Sequence, residues 1–297
     1  MQFSTLFCYY FELYFRGMKY FSFLLLLPLF YSCGNKSELR EDSLYSRHLQ
    51  RQVTLTVFNT PLPDEKDEWN LLILNDGQDF AKFRAAEQAD SLWDAGKIKP
   101  LIIVGVHAAD REEEFGVAGK PDFAGRGRKA EDYDEFINNE LLPFIRKQAS
   151  VRKFQSLGIA GASLGGLSAM DIAWNHADKF SVMGAFSGSF WWRDKDLSDK
   201  SYRDDRNRIM QAKLLASRKR PETKFFFSAG ELEETSDRDS DSIIDVIDDT
   251  QDLITLLKEK RRIPASSIQF RVLPFGKHDH ATWAGVFLEF LLWAYRK

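Results

Sequence analysis

Hydrophobic residues along the chain form two kinds of pattern, short continuous runs and longer stretches with helical spacing. Continuous apolar runs at 71–74 and 101–106 are typical of strands that are buried on both faces of a sheet. Residues 53–58 alternate between apolar and polar side chains, which predicts an outer strand. Further strands are predicted at 154–160, 181–186, 224–228 and 268–273.

Helical spacing of apolar residues occurs between these runs. It predicts helices over 80–95, with Gly96 as the stop, and over 133–145, 164–174 and 281–295. Strands that alternate with helices along a chain usually form a mostly parallel central sheet with helices on both faces. The predicted fold class is therefore α/β.

The first 33 residues have a different pattern and are predicted to be an export signal. The apolar run 21–31 follows Lys19 and ends beside Cys33, which is the order of basic, apolar and small-residue regions in such signals. The run is too short to span a bilayer comfortably. Because the residues before Met18 resemble an upstream extension, Met18 is the expected start of the signal.

Cys33 lies where a lipoprotein signal carries its lipidated cysteine, so we expect a lipid anchor there, with a plain cleaved signal as the alternative. The only other cysteine, Cys8, lies before Met18 in the part that is discarded, so the mature domain is expected to have no disulfide. Residues 34–50 are polar and are predicted to be a tether, which leaves 51–297 as the catalytic domain. This organisation predicts a protein of the cell envelope, facing the periplasm or the cell surface.

Composition and charge narrow the class of protein further. A chain of 297 residues with 44% hydrophobic residues can bury a large core within one α/β domain. Its formal net charge of −3 gives no indication of a polyanionic partner, so no nucleic acid is expected to bind.

The segment Gly161-Ala162-Ser163-Leu164-Gly165-Gly166 has the form G-x-S-x-G between a predicted strand and a predicted helix. This is the context of a nucleophile elbow, in which a sharp turn lifts a serine hydroxyl above the sheet edge. Small flanking residues allow the tight turn, and the helix N-terminus favours a developing oxyanion. The alternative is a glycine-rich turn whose serine only caps the helix. The context favours Ser163 as a nucleophile, and so an α/β-hydrolase fold.

A serine nucleophile needs a base to accept its proton. His278 and His280 are the two histidines that follow the last predicted strand, where an α/β sheet presents catalytic groups. His278 is the preferred base, and His280 is its rival. The remaining histidines are His48, His107 and His176.

The acid that orients the base should follow the preceding strand, since the order along an α/β-hydrolase chain is serine, acid, histidine. Glu233 is the preferred residue, with Glu231 and Asp237 as rivals. Spacing alone does not rank these carboxylates, because a run of acids here is also typical of a solvated loop.

An oxyanion hole requires two backbone donors above the sheet edge. The N–H of Leu164 directly follows the nucleophile and is one candidate. The loop after strand 71–74 has the position of the second donor, which makes the N–H of Gln78 the other candidate.

Several segments together resemble one family of α/β-hydrolases. They are LNDGQ at 74–78, VGV at 104–106 with Asp110, Arg111, Glu114 and Phe115, the pattern over 133–145, the elbow, FSGSFWW at 186–192, and Gly276, His278, Asp279 and Trp283. The chain is similar over about 45–295 to the esterase D-like "putative esterase" family, which includes enterochelin esterases, feruloyl esterases and mycolyltransferases. The resemblance implies Ser163 as nucleophile, His278 as base, an acid near Glu233 and Gln78 as the second oxyanion donor.

The stretch after Gly230 is longer than in many members of that family, and it contains a pattern typical of calcium loops. Carboxylates stand at positions 1, 3, 5, 9 and 12 of such a loop, namely Asp237, Asp239, Asp241, Asp245 and Asp248. Ser242 replaces the expected glycine, and Asp248 replaces the expected glutamate. Calcium is therefore one hypothesis, and a solvated acidic loop before a helix is the other.

These residues predict a serine carboxylic-ester hydrolase that forms an acyl-enzyme and needs no cofactor. Its expected substrate is an ester of a carbohydrate, a siderophore or a similar small molecule. One alternative is an acyltransferase that uses the same triad, and another is a non-catalytic surface lipoprotein that binds glycans or siderophores.

Overall fold

The computed structural model describes residues 36–61 and 68–297. The predicted export signal over 1–33, with Met18 and Cys33, lies outside the described residues and stays a prediction. Among the described helices, none combines the length and the apolar character that a membrane span requires.

A mixed sheet of eight strands forms the centre of the described domain, in the order β1-β2-β4-β3-β5-β6-β7-β8. The strands are β1 Glu38–Ser46, β2 Arg51–Asn59, β3 Asn70–Asn75, β4 Leu101–Val106, β5 Leu157–Ala162, β6 Val182–Phe186, β7 Lys224–Gly230 and β8 Ile268–Leu273. β1, β2 and β4 pair in an antiparallel manner, and the other neighbours are parallel. This topology confirms the predicted α/β fold with a mostly parallel sheet.

Helices cover both faces of this sheet. They are α1 Ala85–Asp94, α2 Arg111–Glu114, α3 Ala130–Glu135, α4 Leu142–Ala149, α5 Leu164–Asn175, α6 Asp204–Asn207, α7 Ile209–Ala216, α8 Asp245–Thr255 and α9 His280–Tyr295. A wider π-helical turn, Phe136–Leu141, joins α3 to α4. Side chains alternate across the central strands, so Ile73 packs with α4, α5 and α7 on one face, and Leu74 packs with α1 and α9 on the other.

The tether predicted over 34–50 is wrong over most of its length, because β1 lies within it. Glu38 pairs with Asn59 and Ser46 with Arg51, so β1 and β2 form a hairpin whose turn ends at Gln50 in the left-handed region, φ 53°. β1 is an edge strand with polar, partly exposed side chains. Charged residues are typical of edge strands because they discourage pairing with other chains, and they gave this segment the polarity of a tether.

Candidate active site

Ser163 lies at the turn between β5 and α5 and has an unusual backbone conformation. Its φ of 55° and ψ of −123° lie in a region that residues with a side chain rarely adopt. The Ser163 N–H donates to the carbonyl of Phe186 at 2.9 Å, which fixes the turn against β6. A strained strand-to-helix turn of this kind is the backbone geometry that a nucleophile elbow requires.

Close backbone contacts explain why glycines flank this serine. A Cβ atom at Gly161 would lie 2.5 Å from the carbonyl oxygen of Gly165, and a Cβ at Gly165 would lie 3.0 Å from the Asp76 carboxylate. Gly166 is similarly close to the carbonyl oxygen of Gly161 at 3.0 Å. The elbow can therefore close only if these positions carry no side chain.

Asn75 and Tyr133 support the elbow from the neighbouring strand and helix. The Asn75 side-chain Nδ2 donates to the backbone carbonyl of Gly165 at 2.8 Å, and the Tyr133 hydroxyl donates to the side-chain Oδ1 of Asn75 at 2.8 Å. Burial, reinforced by nearby carboxylates, raises the pKa of Tyr133 well above its usual value, so the hydroxyl remains a donor. Sequence reasoning gave neither residue this role, because the contact joins segments far apart in the chain.

Glu233 and His278 meet at the carboxyl ends of β7 and β8. Glu233 Oε2 lies 2.8 Å from His278 Nδ1, so the two side chains share a hydrogen bond. The Glu233 side chain is almost fully buried, with 2% exposed, whereas 42% of the His278 side chain is accessible. A buried carboxylate that binds one nitrogen of a half-exposed imidazole leaves the other nitrogen free toward solvent.

The rival acid and base candidates lie elsewhere. Glu231 is exposed in the turn after β7, and Asp237 accepts N–H bonds from Asp241 and Ser242 within its own loop. His280 Nε2 lies 3.1 Å from the carboxylate of Asp79 instead of facing Glu233. The geometry thus favours Glu233 and His278 over the alternatives that spacing could not rank.

Ser163 lies at the same edge of the sheet, at the end of β5, but its hydroxyl faces a second serine. Among the described residues its hydrogen-bond partner is Ser189 Oγ, at 3.4 Å, and it makes no hydrogen bond with His278. Hydrogen bonds between nucleophile and base are often long in the absence of substrate. The topology nevertheless places serine, acid and base at the carboxyl ends of β5, β7 and β8.

The two predicted oxyanion donors have free N–H groups. Gln78 lies in the short 3₁₀ turn Gly77–Asp79, directly after Asp76, and Leu164 is the first residue of α5. Within 36–61 and 68–297, neither backbone N–H has a hydrogen-bond acceptor. The Gln78 side chain is held by Asp76 at 2.8 Å and by the N–H of Ala108 at 3.2 Å.

The Asp-rich loop assembles only part of the predicted calcium pattern. Asp237, Asp239 and Asp241 bring one carboxylate oxygen each to within 4.8 Å of one another. Asp245 instead accepts the backbone N–H of Arg238 at 2.9 Å and forms an ion pair with the Arg238 side chain at 3.0 Å, so its carboxylate is separate from this cluster. An arginine at this carboxylate opposes the binding of a cation.

Asp248, the last carboxylate of that pattern, lies within α8. Burial and the nearby carboxylates of Asp252, Asp249 and Asp239 raise its pKa to about 6. The three clustered aspartates are largely exposed, as acidic loops without a metal often are. The geometry therefore gives no support to the calcium hypothesis.

The aromatic residues after Ser189 divide between the core and the surface. Trp192 is fully buried, where it packs against Gly116 and Gly127. Trp191 is partly exposed, with the guanidinium groups of Arg126 at 5.2 Å and Arg193 at 5.7 Å from its ring. One of these two neighbouring tryptophans is therefore a core residue, and the other lies at the surface.

Comparison with solved structures identifies similar folds. Enterochelin esterase from Shigella flexneri superimposes with a TM-score of 0.66 at 21% identity, over 86% of this chain and 57% of that chain. A ferulic acid esterase superimposes with a TM-score of 0.62 at 21% identity, over 88% of this chain and 98% of that chain. Both similarities support the α/β-hydrolase type of fold.

Comparison with curated proteins identifies distant relatives. Iron(III) salmochelin esterase of Escherichia coli O6:H1 is 24% identical over 243 residues, 80% of this chain and 53% of that protein. The uncharacterized protein YbbA of Bacillus subtilis is 30% identical over 113 residues, 36% of this chain and 45% of that protein. The chain thus spans about half the length of these curated relatives.

A family model gives the broadest match. The model described as "Putative esterase" matches residues 46–294, which include all of the strands except most of β1. The match covers Ser163, Glu233 and His278 in their order along the chain. This chain belongs to the putative esterase family.

Proposed function

We propose that this protein is a serine carboxylic-ester hydrolase that works through an acyl-enzyme. Ser163 Oγ attacks the ester carbonyl carbon while Nε2 of His278 accepts the hydroxyl proton. The N–H groups of Leu164 and Gln78 bind the oxyanion, and the alcohol leaves with the proton from His278. Water, deprotonated by His278, then attacks the acyl-enzyme, and the acid is released as Ser163 regains its proton.

The observation that carries this proposal is the hydrogen bond between Glu233 and His278 at the sheet edge where Ser163 forms its strained turn. Glu233 fixes the imidazole and stabilises its protonated form, which is the role of the acid in such triads. No metal or organic cofactor is needed for this acyl transfer.

We propose an ester of a siderophore, a carbohydrate or a similar small molecule as substrate. The support is the pair of similar proteins whose names give iron(III) salmochelin and ferulic acid as the compounds concerned. Hydrolysis of a panel of catecholate, feruloyl and acetyl esters tests this range. If a simple alkyl ester is cleaved faster than all of them, the substrate class is wrong.

The central experiment measures covalent labelling by a fluorophosphonate, followed by intact mass and peptide mapping. We expect a single adduct on Ser163 that Ser163→Ala removes and His278→Ala slows by roughly three orders of magnitude or more. Ser168→Ala is the matched control, because Ser168 is a buried serine on the same helix and should leave labelling unchanged. A folded protein that gives no adduct would contradict the proposal.

We also propose that the enzyme is exported and anchored through Cys33. The support is the order of basic, apolar and small residues before that cysteine. Mass spectrometry of the protein from membranes should find a lipid-modified Cys33 as the first residue. A mature chain that begins elsewhere, with no lipid, would show that the anchor is absent.

A further inference from the structure

Ser187 lies directly after β6 and contacts the buried carboxylate of Glu233. Its hydroxyl donates to Glu233 Oε1 at 2.6 Å, and the indole Nε1–H of Trp283 donates to the same hydroxyl oxygen at 2.9 Å. Ser187 and the Trp283 side chain are buried. Three segments distant in the sequence thus meet at one carboxylate.

The direction of these hydrogen bonds follows from the chemistry of the groups. An indole N–H can only donate and an ionised carboxylate can only accept, so the Ser187 hydroxyl must receive from Trp283 and donate to Glu233. The backbone N–H of Gly230 also donates to Oε1. Oε2 is therefore left for His278, and its Nδ1 must carry the proton that this bond requires.

Trp283 contacts the base as well as the hydroxyl. Its ring lies edge-on to the His278 ring, with centroids 5.1 Å apart, and is nearly parallel to Phe83 at 6.2 Å. Aromatic contacts of this kind restrict the rotation of both rings. One side chain thus limits the orientation of His278 and also sets the direction of the Ser187 hydroxyl.

We propose that Ser187 and Trp283 are positioning residues of the acid–base pair, which hold the Glu233 carboxylate in place and aimed at His278. This inference rests on the proposed function. Hydrogen bonds donated to an ionised carboxylate stabilise it relative to the protonated form. The Ser187 hydroxyl and the Gly230 N–H both donate to Oε1. If one donor is lost, the carboxylate becomes more basic, binds the Nδ1 proton more tightly, and holds the imidazole in its protonated form at higher pH.

The test compares Ser187→Ala with the unchanged protein. We expect the rate of fluorophosphonate labelling at neutral pH to fall roughly tenfold, the equivalent of about one hydrogen bond to a charged group. The acidic limb of the pH–rate profile should move to higher pH, and the low-field resonance of the His278 Nδ1 proton should move further downfield. A loss of packing alone would lower the rate equally at every pH.

Trp283→Phe provides a second variant in case Ser187→Ala fails to fold. The ring remains to pack on His278 and Phe83, but the N–H is gone, so the Ser187 hydroxyl can rotate away from Glu233. We expect a smaller loss, roughly threefold, with the same direction of both shifts. Trp293→Phe is the matched control, because this tryptophan on the same helix contacts Phe226 and should change neither quantity.

Other charged groups face the pair, and none is altered in these variants. The Glu234 carboxyl and Glu233 repel each other, and Lys277, Asp279 and His280 lie on or beside the loop that carries His278. Their effects on the profile are common to all of the proteins compared. Any difference in pH–rate profile between a variant and the unchanged protein is therefore due to the altered hydrogen-bond donor.

Two outcomes can be distinguished. If the variants label more slowly but the acidic limb and the proton resonance do not move, Ser187 and Trp283 serve only in packing, and the inference is wrong. If the unchanged protein does not label at all, the proposed function fails, while the proton resonance still shows whether the two donors act on the Glu233–His278 pair.

Discussion

Close contacts between backbone atoms fix the turn that carries Ser163, whereas hydrogen bonds from neighbouring groups orient the Glu233 carboxylate. At the elbow, Gly161 and Gly165 approach so closely that even a methyl group would collide. At the acid–base pair, a carboxylate is fixed by bonds from Ser187, Gly230 and His278. The elbow accepts almost no other residue type at its glycine positions. The second region also brings two glycines together, since a Cβ at Gly230 would collide with the Gly276 carbonyl, but the acid itself needs only a carboxylate within reach of the imidazole.

This difference explains why the elbow is easier to recognise in the sequence than the acid. A backbone that must pass within contact distance of another backbone demands glycine at fixed spacing, and such spacing can be recognised. A carboxylate can reach an imidazole from several positions of a flexible loop. The acid was therefore the weaker choice from sequence, with three candidates in one segment.

The largest expected effect comes from a variant that disrupts the backbone contacts of the elbow. Gly161→Ala places a Cβ 2.5 Å from the Gly165 carbonyl oxygen, so the elbow must open. We expect labelling of Ser163 to be abolished and the free energy of unfolding to fall by about 3 kcal/mol. Gly285→Ala is the control, because a Cβ there meets nothing within 4 Å, and it should stabilise helix α9 by about 0.5–1 kcal/mol. Normal labelling in Gly161→Ala would show that the elbow is not constrained by its backbone.

A second variant removes the charge of Glu233 while keeping its packing. Glu233→Gln keeps the shape of the side chain but cannot stabilise a protonated imidazole, so the labelling rate should fall by roughly two to four orders of magnitude. The melting temperature should change far less than in Gly161→Ala. Glu231→Gln, a neighbouring exposed carboxylate, should match the unchanged protein. Equal losses of labelling rate in Glu233→Gln and Glu231→Gln would contradict the assignment of Glu233 as the acid.

The smallest effect concerns the segment beyond the acid, where carboxylates repel one another. The pKa of Asp248 is raised to about 6 by burial and by Asp252, Asp249 and Asp239, so the folded state binds this proton more tightly than the unfolded state. The resulting stabilisation is present below about pH 4 and is lost as the pH rises through 6.

Asp248→Asn should therefore raise the free energy of unfolding at pH 7 by about 1 kcal/mol, after allowance for solvent screening of this half-exposed group. It should have little effect at pH 4. Denaturant titrations at the two pH values measure the difference. A variant that is less stable at pH 7 would mean that the Asp248 carboxylate has a favourable partner there.

The parts of the molecule that follow from local pattern were predictable from sequence. The strands at 71–74 and 101–106 agree with the structure because burial on both faces sets their hydrophobic pattern. The elbow, the final strand and the final helix also lie where the sequence predicts them. The helix expected over 80–95 begins later, at Ala85, because Arg84 directly before it has a left-handed backbone conformation, φ 53°.

The contacts that support the site were not predictable in the same way. Asn75 with Tyr133, and Ser187 with Trp283, join residues that are 58 and 96 positions apart in the chain. Such pairs exist only once the sheet has brought its carboxyl ends together. The edge strand β1 was missed for the opposite reason, since its local pattern is that of an exposed segment.

The position of β8 at the edge of the sheet affects whether inactivation or global unfolding comes first on heating. β5, which presents Ser163, lies between two partners, but β8 ends the sheet, pairs within the described domain only with β7, and leads into a loop whose Phe275 is 82% exposed. Sheet margins with few buried contacts open locally at a lower free energy than the centre. We expect amide hydrogen exchange to be faster in β8 than in β5. Brief local openings would then remove His278 while the interior stays folded, so that inactivation on heating precedes global unfolding.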